Sequence, residues 1–216
     1  FNTHTYTEID GRIENKSMID YLFSLEGLAV GTGLASVWFS VKERIWVYPI
    51  GLVSVGIYVY LSYVFGIYAD MGINIYYVIM SIYGWYRWLQ PSGSSAVKEI
   101  TRSSRNEWIL SIVLFLFSWL ALFVILQRFT DSEIPLWDSL TTSLAIVGMW
   151  LMAEKKVEHW LFWIATDLVS IPLYYYKGLV LTSGQFFIFT VLAVMGWLQW
   201  NKTLSIGDQN NQPSLH

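Results

Sequence analysis

The chemistry available to this sequence lies in a few side chains set within long apolar runs: Glu26, Ser54, Asn74, Trp163, Asp167, Ser170, Tyr174 and Gln185. Polar groups in such runs are costly and usually face a cavity or one another. Positions 163, 167, 170 and 174 stack along one face of a helix. That face would present Trp, Asp, Ser and Tyr, a set suited to a flat aromatic cation. Aromatic faces attract cations by about 0.5–2 kcal/mol, and Asp167 would add a full opposite charge. Ser54, Asn74 and Gln185 could direct hydrogen bonds to ligand hydroxyl, carboxamide or amine groups. The competing expectation is that Asp167 and Ser170 only bond between helices. Asp138 follows Pro135 at a helix start, where an acid favours the N-terminus, so capping competes there with ligand contact. For Glu26, near the start of its helix, interfacial placement competes with a gating role.

Other chemistries lack their residues. The chain has no cysteine, which excludes disulfides, thiolate metal sites and thiol nucleophiles. Of its three histidines only His159 lies near an apolar run. There is no HExxH and no protease-like pair of intramembrane aspartates, so an enzyme, a catalytic residue or a bound metal is not expected. Nothing resembles a nucleotide-binding loop, and no cofactor is expected. No basic stripe suggests nucleic acid.

The elements that must position these residues are membrane helices. Hydrophobic residues make up 55% of the 216 and charged ones 13%, with a mean hydropathy of +0.45. A soluble domain carries about a quarter charged residues, so the surface is expected to face lipid. Spans of roughly 20 apolar residues fall at 21–39, 46–65, 71–89, 108–127, 136–153, 159–176 and 180–200. The Ser- and Gly-rich stretch from Gln90 to Glu107 reads as a solvated linker. The resulting organisation is a polar segment 1–20, a first three-helix bundle 21–90, a linker 91–107, a linking helix and loop 108–135, a second bundle 136–202 and a polar, disordered tail 203–216. Residues 1–17 carry no signal-type apolar core, and those before Met18 are assigned no structural role.

Seven crossings would place Arg12, Lys16, Arg128 and Lys177 on one side. Lys42, Arg44, Arg87, Lys98, Arg102, Arg105, Lys155, Lys156 and Lys202 would lie on the other. Cations mark the cytoplasmic side, so the C-terminus is expected inside and the N-terminus outside. Trp88 and Trp200, at helix ends on that side, are expected in an interfacial belt.

The chain also resembles itself. Residues 52–60 recur as 168–176, with Ser54 facing Ser170, and Gly84-Trp85-Tyr86-Arg87-Trp88 recurs as Gly196-Trp197-Leu198-Gln199-Trp200. Gly66 matches Gly178, residues 34–37 match 144–147, and Glu43-Arg44-Ile45 matches Lys155-Lys156-Val157. Their common order predicts an all-α membrane protein of seven transmembrane helices. Two triplets would be joined by one linking helix, in the 3+1+3 parallel-repeat bundle of SWEET-like transporters. The alternative is an accident of apolar composition. Pro49 with Gly51, and Pro172, would then provide hinges at matching positions.

With the repeat drawn, the residues resemble the PnuC family of vitamin transporters. Ile82-Tyr83-Gly84-Trp85-Tyr86-Arg87-Trp88 is similar to its IYGWYxW signature. Tyr68-Ala69, Glu26 with Gly33-Leu34, Trp137-Asp138-Ser139, and Lys156-Val157-Glu158 with Trp160 fit as well. The resemblance spans about residues 20–202 and implies facilitated diffusion of a water-soluble vitamin through a bacterial inner membrane. Phosphorylation in the cytoplasm would trap the cargo. Nicotinamide riboside is the implied cargo, and thiamine the alternative. Family members commonly show Asn at the positions of Ser54 and Asp167 and Gln at that of Asn74, so the changes bear on the cargo. The expected partners are the vitamin and the bilayer, with a homo-oligomer left open.

Overall fold

A computed structural model describes residues 3–91, 97–130, 132–176, 178 and 180–210. The chain is all-helical: α1 Thr3–Val41, α2 Val47–Val64, α3 Tyr68–Trp88, α4 Arg105–Phe129, α5 Pro135–Ala153, α6 His159–Tyr176 and α7 Val180–Asn210. Five are long and apolar enough to cross a membrane, over Ser24–Val41, Val47–Val64, Arg105–Phe129, Pro135–Ala153 and Thr182–Gly207. The other two, α3 and α6, are the helices that carry Asp70, Asn74 and Ser81, and His159, Asp167 and Ser170. Their polarity is spent on an interior cavity rather than on lipid.

Helix ends depart from expectation in three places. Helix α1 begins at Thr3, well before the apolar run, and α7 continues to Asn210 through the first part of the expected tail, whose residues 211–216 lie outside the described residues. Extending an existing helix costs far less than starting one, so polar residues follow their apolar neighbours. Helix α4 begins at Arg105 because Ser104 and Glu107 form a reciprocal capping box. The S-x-x-E spacing was there to be read in the sequence.

The helices close into a ring. Helix α1 packs on α2 and α2 on α3, α5 packs on α6 and α6 on α7, and the seams α3–α5 and α1–α7 complete the circuit. Helix α4 stands outside it along α5, with Trp108 reaching Phe162 of α6 at 6.1 Å. Its Ile112, Val113, Leu116, Phe117 and Leu120 are exposed, a face fit only for lipid.

Paired features recur at a constant spacing of 112 residues, as from Glu43 to Lys155. Both of these residues adopt positive φ, 57° and 56°, and so do Gly66 and Gly178, at 70° and 78°. Tyr48 lies over Gly84, and Trp160 over Gly196, where an added Cβ would run into the phenol and the indole. The Trp88 indole donates to the Met152 carbonyl at 2.9 Å, and the Trp200 indole to the Ser40 carbonyl at 3.0 Å. At this spacing Ser54 corresponds to Thr166, not Ser170, so the runs 52–60 and 168–176 are out of step by one helical turn. The match of 34–37 with 144–147 is two residues out. Leu- and Val-rich runs resemble each other in many registers, whereas turns and close approaches do so in one. The prolines do not correspond either. Pro49 sits in the first turn of α2, where a missing N–H costs little, and only Pro172 lies inside a helix.

Trp88 and Trp200 do not form an interfacial belt. They are 3% and 0% exposed, with ring centroids 5.9 Å apart. The last-turn carbonyls of Ser40 in α1 and Met152 in α5 accept Glu43 N and Lys155 N from the following turns and take these indoles as further donors.

The linker is not freely solvated. Thr101 pairs with Lys156 in an isolated bridge, its N–H donating to Lys155 O at 3.2 Å and its carbonyl accepting from Val157 N at 3.0 Å. Ile100 is buried. Ser103 donates through its backbone N–H and its hydroxyl to Glu158 Oε2, each at 2.8 Å. Glu154 ties α3, the linker and the end of α5 together. It accepts from Tyr83 at 2.6 Å, from Arg87 Nη2 at 2.7 Å and from Lys98. Burial pushes its carboxyl up, but the bonds from Arg87, Lys98 and Tyr83 outweigh that and hold it at about 2.

Two outcomes follow from this packing. A carboxyl held low when folded stabilises fully above its unfolded value and loses that contribution as pH falls toward about 2. Thermal melts in detergent should therefore show Glu154→Gln less stable by about 1–3 kcal/mol at neutral pH, the gap closing between about pH 4.5 and pH 2. Gly84→Ala should drive a methyl into Tyr48 and lower stability by about 1–3 kcal/mol. Gly31→Ala, with nothing within 4 Å, should not lower the melting temperature and gains helix propensity instead.

Candidate functional site: a polar cavity within the helix ring

A cavity of about 500 Å³ runs through the ring, lined by residues of α1, α2, α3, α5, α6 and α7 and none of α4. Seven of the eight expected residues reach it: Ser54, Asn74, Trp163, Asp167, Ser170, Tyr174 and Gln185. Glu26 does not. It is exposed on α1 outside the wall, though near enough to Tyr58 to act on it electrostatically. Asp138 also lies outside, in the first turn of α5, where it accepts from Ser132 Oγ at 2.7 Å. It belongs to the helix start.

Helix α6 supplies the centre of the site. Asp167 is 4% exposed and Ser170 2%, and among the described residues no Lys or Arg forms an ion pair with Asp167. A buried carboxylate without a counter-cation is costly. Asp167 faces the cavity. Gly148 of α5 makes room for Trp163, since a Cβ there would meet the indole at 3.3 Å. The Trp163 ring lies 6.5 Å from that of Tyr77, and Tyr174 stacks on Phe186 at 5.0 Å. Aromatic faces thus lie on both sides of the carboxylate along α6.

The amides and hydroxyls divide their work. Ser54 lines the cavity, yet its hydroxyl donates to Ala29 O of α1 at 2.7 Å. It holds two helices at a close crossing by Gly33, where an added Cβ would meet Ser54 Oγ at 3.1 Å. Asn74 spends its amide N–H on Asp70 O at 2.9 Å and retains its carbonyl oxygen. Gln185 lies beside Tyr58, and both line the cavity. Sequence reading missed Tyr77, Phe186 and Tyr58. Counting helically from Asn74 to Tyr77 and Ser81 would have found the α3 face. Phe186 and Tyr58 are indistinguishable by pattern from the many lipid-facing aromatics. A second groove, between α1 and α2, is lined by Leu25, Leu52, Val53 and Ile57 with Tyr21 and Tyr60. Its apolar surface suits acyl chains.

Apolar helices enclosing a central cavity of aromatic and polar side chains define a membrane transporter of small solutes. The family described as nicotinamide mononucleotide transporter matches residues 24–202, and the chain belongs to it. It is 24% identical over 199 residues to the nicotinamide riboside transporter PnuC of Escherichia coli, covering 80% of this chain and 83% of that one. To the transporter of the same name from Neisseria mucosa it is 26% identical over 190 residues, covering 82% and 72%. It is also 22% identical over 205 residues to the riboflavin/roseoflavin transporter RibM of Streptomyces davaonensis, covering 92% and 90%. A crystal structure of the vitamin B3 transporter PnuC shares the fold, with a TM-score of 0.66 at 24% identity over 94% of this chain and 92% of that one. The family resemblance carried by residues 82–88 is borne out.

Asp167→Asn should weaken binding of a flat cationic ligand by about 10- to 100-fold, the range of a charged hydrogen bond, without lowering the melting temperature. Calorimetry on the purified protein checks this, and unchanged affinity would remove Asp167 from the site.

Proposed function

We propose that this chain takes up nicotinamide riboside by facilitated diffusion, with cytoplasmic phosphorylation of the cargo preventing its return. The observation that carries the reading is Asp167, a carboxylate buried beside the cavity with no described cation paired to it and with Trp163 at its flank. Nicotinamide riboside brings a flat pyridinium to that position. The names of the Escherichia coli and Neisseria mucosa relatives support the same cargo. Thiamine is the second reading, favoured by one feature: Asp167 stands where an amide is common in the family, and a thiazolium is also a flat cation. Riboflavin, the cargo in the name of the Streptomyces davaonensis relative, is neutral and brings no cation to the carboxylate.

The architecture proposed for this task is seven crossings arranged three plus one plus three in parallel. Support comes from the 112-residue spacing of turns and close contacts, from the matching seams α3–α5 and α1–α7, and from α4 lying outside the ring. One linking helix is what brings a second triplet back into the membrane in the same direction as the first. The cationic residues favour a cytoplasmic C-terminus in the bacterial inner membrane.

Protein in liposomes, with no ion gradient, should equilibrate labelled nicotinamide riboside across the bilayer. An internal riboside kinase with ATP should convert that equilibration into accumulation. Tight thiamine binding by calorimetry with none of the riboside would overturn the first cargo, and uptake only under an imposed gradient would overturn the facilitator.

A further inference from the structure

At the end carrying the α1–α2 and α5–α6 turns, the cavity closes on four polar atoms with no hydrogen-bond partner: Ser40 Oγ, Tyr48 Oη, His159 Nε2 and Trp160 Nε1. All four residues line the cavity, and none is more than 3% exposed. They gather around the interlocked tryptophans. The Trp200 ring lies 4.7 Å from His159 and 5.7 Å from Trp160, and its indole donates to Ser40 O at 3.0 Å. Tyr48 meets Trp88 at 5.2 Å. Buried polar groups are nearly always bonded, and each exception calls for an explanation. A plug made only to seal the bundle would be better built from apolar side chains.

The atoms present a definite pattern. His159 Nδ1 lies 2.7 Å from the Lys156 carbonyl, which can only accept, so Nδ1 carries the proton and Nε2 offers a lone pair. The indole N–H of Trp160 only donates, and the two hydroxyls can do either. No charge is present among the four. Such a set does not match a carboxylate, a phosphate or an ammonium group; it matches neutral hydroxyls, each able to donate and accept. His159, Trp163 and Asp167 follow one another at four-residue steps on α6, so the floor lies about 12 Å from the carboxylate by helical rise. A flat ring held at Asp167 can extend a sugar or polyol toward it.

We propose that the cavity floor formed by Ser40, Tyr48, His159 and Trp160 is a second binding station, for the hydroxyl groups of the cargo's sugar or polyol part. The station rests on the transport reading. In this conformation it is shut, with the Tyr48 hydroxyl against Gly84 and the Trp160 ring against Gly196. Parting of the helices at this end exposes the four atoms, and cargo hydroxyls take the hydrogen bonds that the closed protein leaves unmade.

Ser40→Ala and Tyr48→Phe each delete one oxygen that has no protein partner, so neither should lower the melting temperature. Calorimetry on the full chain compares two ligand pairs: nicotinamide riboside with 1-methylnicotinamide, and riboflavin with lumiflavin. Within each pair a methyl replaces the hydroxylated chain. Each variant should weaken the hydroxylated member by about 2- to 12-fold, the ratio set by one ordinary hydrogen bond, and leave the methyl member unchanged. Equal effects on both members, or none on the hydroxylated one, would overturn the station while leaving transport intact. A lowered melting temperature would overturn it too, by showing a structural partner for the oxygen. Wild-type protein that binds neither the riboside nor riboflavin overturns the cargo reading and the station with it.

Discussion

The interaction on which the rest of this structure depends is the reciprocal pair of indole-to-carbonyl bonds, Trp88 to Met152 and Trp200 to Ser40. Each joins the last helix of one triplet to the end of the first helix of the other. Each carbonyl already accepts a backbone N–H from the turn that follows, Lys155 to Met152 and Glu43 to Ser40, and keeps a second lone pair that water cannot reach. An indole answers that need with a single donor on a large apolar body. The cluster around it includes Val41, Val47, Tyr48, Ile100, Met152, Val157 and Trp160, so the two halves share a core at one end and a cavity above it. With this end fixed, α3 and α6 can turn their polar faces inward, and the cavity has walls.

The two seams are fastened unequally. Seam α3–α5 carries the bond from Tyr76 to Ile146 O at 2.9 Å and the Glu154 cluster with Tyr83, Arg87 and Lys98, and the linker is pinned beside it. At seam α1–α7 the corresponding end has Thr203 donating to Glu43 Oε1 at 2.8 Å, beside the Trp200 bond. The asymmetry follows from sequence. Lys98 and Ile100 come from the linker, whose Arg102 also donates to Asn201 Oδ1 of α7 at 2.8 Å.

What could be read from the sequence was whatever repeats or excludes. The lack of charge fixed the solvent as lipid, and the apolar runs located seven helices to within a few residues at most ends. The α6 face at 163, 167, 170 and 174 was legible because helical spacing alone defines it. The signature at 82–88 was enough to reach the family. What escaped was relational. Trp88 and Trp200 have the composition of a belt, and only the opposing carbonyls make them a clasp. The Leu-Val-Ser run near Ser54 looked like the repeat of the run near Ser170, because apolar segments carry little register information. Glu26 has the chemistry of a site residue, but α1 turns it outward.

Where local rules are broken, the breaks fall in one place. Asp167 is a buried carboxylate without a described cation, and Ser40, Tyr48, His159 and Trp160 hold the unpartnered polar atoms found among the described residues. Elsewhere in the interior, polar groups find partners: Ser36 bonds to Val47 O, Ser183 to Ile171 O, and Tyr76 to Ile146 O. A sequence that satisfies its buried groups across most of seven helices, yet leaves five wanting along one cavity, has its inconsistency concentrated where a ligand would pass. Natural proteins tolerate such local conflict mainly at functional sites. The mismatch also has a sense of direction, with charge in the middle of the cavity and neutral donors and acceptors at its closed end. A cargo that is cationic at one end and hydroxylated at the other would meet both needs in a single orientation.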